Sequence, residues 1–245
     1  MSNINKFGLA RRIPADISRV IRQEAGFGCV ICGSGIFEYE HIEPEFKSAK
    51  EHDPNCMTLL CPSCHSKATR GRLSKKSVWD AKKNPEPLKK GFASDWFDFA
   101  IDTMPFITFG GTKTQKCEIP LLIDDIPILR IAPPLEDGTP FLLSGCFYNT
   151  EDNIMLEIVD NEWRAFVDNW DINYVGASLT IKDPNGKVIL SIRVDPPNGI
   201  VIEHLVMIFR GQSIIITPDY IEINKTRIHG GCISDCRVGF SLATR

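Results

Sequence analysis

Two Cys-x-x-Cys pairs, Cys29-Val-Ile-Cys32 and Cys61-Pro-Ser-Cys64, constrain this chain more than any other feature. Each pair sits on a tight turn that aims both sulfurs at one point, and the pairs are separated by 28 residues. Four soft thiolates so placed can close a tetrahedral structural zinc site. Such a site holds together a short segment that has little core of its own. Groups of different chemistry lie between and beside the pairs: the doublet Glu40-His41, and His65 directly after the last cysteine. Four cysteines already saturate a zinc ion, which argues against Glu40, His41 and His65 as further ligands of the same ion.

The CxxCG of residues 29–33, the EHIEP of residues 40–44 and the LLCPSCHSK of residues 59–67 resemble the HNH endonucleases of the ββα-metal class. The resemblance covers roughly the first third of the chain. It implies that His41 is the general base that activates water, that Glu40 is a ligand of a catalytic divalent ion (Mg or Mn), and that His65 is the second histidine and binds the same ion. Lys67, Arg70 and Arg72 then fall on or just after the last helix, where phosphate neutralisation is useful. The middle asparagine of the family stands five positions before the third cysteine, and this chain has Cys56 there, with Asn55 one residue earlier. Three alternatives stay open: Asn55 takes the role through a local bulge, the role is lost, or His52 lends a ring nitrogen.

A rival zinc chemistry fits less well. His41-Ile-Glu43 with Cys61-Pro-Ser-Cys64 has the outline of a nucleobase deaminase, but Leu60 stands where a proline should precede the first cysteine, and Cys29 and Cys32 have no task.

Charge separates the two parts of the chain. Residues 1–95 carry 16 Lys/Arg against 11 Asp/Glu, and residues 96–245 carry 12 against 20, so a formal net charge of -3 hides a front part at +5 and a rear part at -8. Only the front part is attracted to nucleic acid. No signal peptide or apolar run of the ~18 residues needed for a membrane span occurs, so a cytoplasmic protein is expected. With paired spacing and no secretory signal, the nine cysteines read as reduced thiols. Cys56, Cys117, Cys146, Cys232 and Cys236 read as small hydrophobes, with the four-residue step from Cys232 to Cys236 a weak metal signal.

The expected fold class is α+β: a small zinc-stabilised ββα-metal domain over residues 1–76, a lysine-rich connector over 77–104, and an all-β domain, sandwich or short solenoid, over 105–245. Pro14 opens a packing helix over 15–25, whose Arg19 and Arg22, with Arg11 and Arg12 before it, read more readily as solvated than as DNA contacts. A strand over 36–42, a polar loop, a strand over 57–60 and a helix from Pro62 or Ser63 follow, the order a ββα site requires. The aromatic run at residues 95–99 is expected to anchor the connector. Short apolar runs then alternate with turns, including a hairpin across residues 183–186. Acids and tryptophans at residues 161–163 and 168–171 suit packing better than a ligand pocket.

Two functions follow from these features. One is a metal-dependent endonuclease acting on DNA, with RNA left open, whose acidic β domain controls it, forms a homo-oligomer or binds a protein partner, by analogy with bacterial restriction and phage-defence nucleases. The other is a catalytically degenerate, zinc-stabilised nucleic-acid-binding or scaffold protein.

Overall fold

The computed structural model describes residues 4–243 and divides into two compact units. One holds the chain up to Asp95 together with Phe166–Ile172; the other holds Trp96–Ala165 and resumes at Asn173.

In the first unit, Pro14 precedes α1 (Ala15–Glu24), which turns Ile21 into the core. β1 (Glu38–His41) pairs antiparallel with β2 (Met57–Leu60), placing Glu40 opposite Thr58 and His41 opposite Met57. Every residue of β2 is buried, because α1 packs on it and α2 (Pro62–Thr69) packs on both strands. Cys61 caps α2, its sulfur accepting from the Cys64 N–H, and Pro62 occupies the first turn, where a missing N–H goes unnoticed. The lysine-rich stretch that follows folds into α3 (Lys75–Lys83), α4 (Glu86–Lys90) and β3 (Phe92–Trp96). The Glu86 N–H donates to the Val30 carbonyl at 3.0 Å, so α4 is tied to the first Cys-x-x-Cys turn.

The returning segment Phe166–Ile172 is bonded into this unit at three points. The Val167 N–H donates to the Gly91 carbonyl, and the Gln23 side chain donates to the Trp170 carbonyl. Arg22 and Asp171 form a two-bond pair, Nε to Oδ1 at 2.8 Å and Nη2 to Oδ2 at 2.7 Å, with both side chains 8% exposed. The fork of a guanidinium matches a carboxylate in this way. The remaining arm of Arg22 donates to the Tyr39 hydroxyl at 2.6 Å, in the middle of β1. Arg22, expected on a solvated face, is therefore buried.

Among its described residues the second unit is built from strands. They are β4 (Phe106–Phe109), β5 (Thr112–Ile123), β6 (Ile126–Ala132), β7 (Leu142–Tyr148), β8 (Ile154–Val159), β9 (Glu162–Phe166), β10 (Asp171–Val175) and β11 (Ser178–Lys182). β12 (Val188–Asp195), β13 (Gly199–Phe209), β14 (Gln212–Ile216), β15 (Tyr220–Ile223), β16 (Thr226–His229) and β17 (Gly231–Leu242) complete it. Of these, β9 ends and β10 begins in the Phe166–Ile172 segment of the first unit. The sheet runs β11-β12-β13-β4-β5-β6-β7-β8-β9, with β14, β15 and β16 branching from β13 and β17 from β5. Most neighbours are hairpin partners. β4 with β13 and β5 with β17 are parallel, and Gly199 is required where β13 enters, since a Cβ there would stand 2.0 Å from the Phe106 carbonyl oxygen. Leu190, Ile192 and Val194 of β12 are buried at alternate positions, as its period-two pattern predicts. Phe97 and Phe99 are core residues of this unit, the Phe97 N–H donating to the Asn161 carbonyl. Trp163 is buried and stacks on Tyr174 at 5.8 Å, so it belongs to the core rather than to a pocket. Among the described residues no helix is long and apolar enough to cross a membrane.

Candidate active site

The first Cys-x-x-Cys turn is wrapped by its own backbone: the Cys29 N–H donates to the Ser34 carbonyl and the Gly33 N–H to the Cys29 carbonyl, both at 2.8 Å. Gly33 closes it at φ 85°, a conformation that suits glycine. The second turn is the cap of α2. Together they bring the sulfurs of Cys29, Cys32, Cys61 and Cys64 within 4.8 Å of one another. Thiolates about 2.3 Å from a tetrahedral zinc stand about 3.8 Å apart; Cys32 and Cys61 are 3.7 Å apart, and all four cysteines are free thiols. Burial and the neighbouring Cys61 push the Cys64 thiol up to about 11. A dication among the sulfurs reverses that preference by stabilising thiolate. Spacing, distance and donor type thus all fit a structural zinc ion. Among the described residues no other three His, Cys, Asp or Glu groups converge in this way.

Strand alternation puts Glu38 and Glu40 on one face of β1. His65, in the first half of α2, bridges them: Nε2 lies 2.9 Å from Glu40 and Nδ1 lies 3.1 Å from Glu38. Burial pushes the Glu40 carboxyl up, and Glu45 adds to this, while His65 opposes it. A cation between Glu40 and His65 would likewise favour the carboxylate. One carboxylate and one imidazole at a solvent-open site suit a hard ion that keeps water and takes substrate oxygens as further ligands. Glu38 was not singled out from the sequence, although its two-residue step from Glu40 on an expected strand carries the signal.

His41 ends β1 and is buried. Burial, with a smaller push from His52, lowers its imidazole to about 4, so the ring is neutral at pH 7. Its Nε2 is 3.1 Å from Nδ1 of His52, and Nε2 of His52 is 2.9 Å from the carbonyl oxygen of Ala10. Glu38, Glu40, His41 and His65 all line one cleft of about 700 Å³, with Arg11, Lys47 and Lys75 among its other residues. Lys47 and Lys75 both pair with Glu45, and the Arg11 guanidinium lies over the Phe46 ring at 4.7 Å.

Asn55 lies elsewhere. It is exposed, and its side-chain amide donates to Asp53 within a local turn. Cys56 donates its thiol to the same carboxylate. Lys67, Arg70 and Arg72 are exposed on α2 and the turn after it, and none of them lines the cleft.

Two short strands and a helix, with an acid and a histidine meeting in a cleft that a buried histidine also lines, and with four clustered sulfurs, have the element order of a ββα-metal domain. Residues 29–71 match the family model for HNH endonucleases, so the N-terminal part of the chain carries an HNH endonuclease domain. Neither a curated protein nor a solved structure matches the chain.

Proposed function

We propose that the chain is a divalent-metal-dependent endonuclease that hydrolyses phosphodiester bonds of DNA. The observation that carries this reading is the meeting of Glu40 and His65 at 2.9 Å in the cleft that His41 also lines. Glu40 and His65 would hold a Mg or Mn ion, which supplies positive charge against the phosphoryl and leaving oxygens as negative charge builds there. The neutral ring of His41 takes a proton from water; the resulting hydroxide oxygen bonds to phosphorus as the bond to the 3′ oxygen breaks, and solvent protonates that oxygen. Arg11 at the cleft and the exposed Lys67, Arg70 and Arg72 would receive the backbone phosphates. The acidic strand unit is read as a control or assembly module, through a second copy or a protein partner, in a restriction or phage-defence setting.

The displacement of Asn55 from the cleft favours a second reading, a degenerate zinc-stabilised binding protein. Plasmid cleavage with Mg²⁺ or Mn²⁺ decides between them. The wild type should nick or linearise plasmid, and His41→Ala should abolish this while zinc content is kept and the chain stays folded. A wild type that binds DNA but never cuts it under either ion would leave the binding reading standing.

A further inference from the structure

The polar contact of the His41 ring is to His52, which does not line the cleft. Nε2 of His41 meets Nδ1 of His52, and Nε2 of His52 meets the Ala10 carbonyl. A carbonyl oxygen can only accept, so His52 must carry its proton on Nε2. In the neutral ring that leaves a lone pair on Nδ1, which can only accept from His41. His41 is thereby protonated on Nε2, and its own lone pair resides on Nδ1, the nitrogen not engaged by His52.

The carbonyl that starts this chain is itself fixed. Residues 4 and 10 form a bridge, and the Asn5 side-chain oxygen accepts from the N–H groups of Phe7 and Leu9. The Asn5 amide donates to the Phe46 and Ala49 carbonyls at 2.6 and 2.7 Å. Phe46 lies against both histidine rings, with centroids 5.6 Å from His41 and 6.5 Å from His52. The segment before α1 therefore holds both the acceptor and the loop that carries His52.

We propose that His52, anchored on the Ala10 carbonyl, is a positioning residue that fixes the tautomer of His41 and leaves Nδ1 as the proton-accepting atom. This rests on the reading of His41 as a general base, but the tautomer is a property of the resting protein. A ring free to carry its proton on either nitrogen would spend part of its time with the donor aimed at the water it must deprotonate. An orienting residue of this kind acts on turnover and leaves DNA binding alone.

The test uses the zinc-loaded full chain with nitrogen-15-labelled histidine and three variants. The oxygen of an asparagine sits where Nδ1 of His52 sits, one carbon beyond Cβ, and can accept from His41. A glutamine amide reaches instead toward the Ala10 carbonyl and leaves His41 without an acceptor. Long-range proton–nitrogen spectra should show His41 protonated on Nε2 in the wild type and His52→Asn, and a mixture or the other tautomer in His52→Gln and His52→Ala. In plasmid cleavage, His52→Gln and His52→Ala should lose at least about 10-fold in kcat with KM held, as for residues that orient an active group, while His52→Asn recovers most of the loss. One His41 tautomer in all four proteins, or Asn and Gln variants that turn over equally, would overturn the proposal. Were no protein to cleave DNA, the endonuclease reading would fail while the spectra still decided the role of His52.

Discussion

Asn55 and His52 stand three residues apart, yet one folds back on Asp53 and the other reaches His41. The side chain of Asn55 is exposed, bonds within its own turn and does not line the cleft, so Asn55→Ala should change kcat by less than about 2-fold, in line with surface substitutions away from a site. A loss comparable to that of His52→Ala would place Asn55 in the reacting geometry after all. The sequence carried the four cysteines, Glu40, His41 and His65 because each sits within a few residues of the turn or strand that aims it. It left the middle position open for a physical reason: where a loop histidine points depends on the Ala10 carbonyl, 42 residues away. Glu38 was legible in principle from alternation, and Arg22 was not, because its partner Asp171 lies 149 residues further on.

The elements with strong local signals came out where the residues put them: α1 after Pro14, β2 over Met57–Leu60, and α2 from Pro62. β17 gave no such signal. Its sequence mixes small, polar and apolar residues, and most of it is exposed or half-buried, because it pairs with β5 through its backbone. In the front unit, β1, β2 and α2 are too short to be stable alone, and Cys29, Cys61 and Cys64 belong to the same small core as Ile21 and Leu59 while Cys32 is exposed. Cys61→Ser removes one sulfur ligand of the proposed zinc site while its hydroxyl can still cap α2, so the variant reads the metal site rather than the cap. Metal analysis should show zinc lost or weakened, and the melt of the front unit should fall or disappear; full zinc content with an unchanged melt would reject the four-sulfur site.

At the scale of the whole molecule, the compact units and the order of the chain do not coincide, since Phe166–Ile172 belongs with the residues up to Asp95. Asp171→Ala would leave the Arg22 charge buried beside Tyr39 without its carboxylate, a change expected to destabilise the front unit by about 3–5 kcal/mol. Thermal unfolding followed with zinc release should show it, and an unchanged melt would mean that the pair contributes nothing. Cutting the chain after the expected connector would have the same consequence, because the cut discards Asp171 along with the strands. The same arrangement also imposes a timetable. A ribosome making this chain must add 77 residues beyond Asp95 before Ile172 is in place. At about 5–20 residues per second that takes about 4–15 s. During that interval Arg22 waits without its acid and Tyr39 without its fixed donor, so β1, which carries Glu40 and His41, lacks its support. A chain arrested or cleaved in that window would release a front part with all four cysteines of the candidate zinc site and with His41 and His65, but not the segment that completes it.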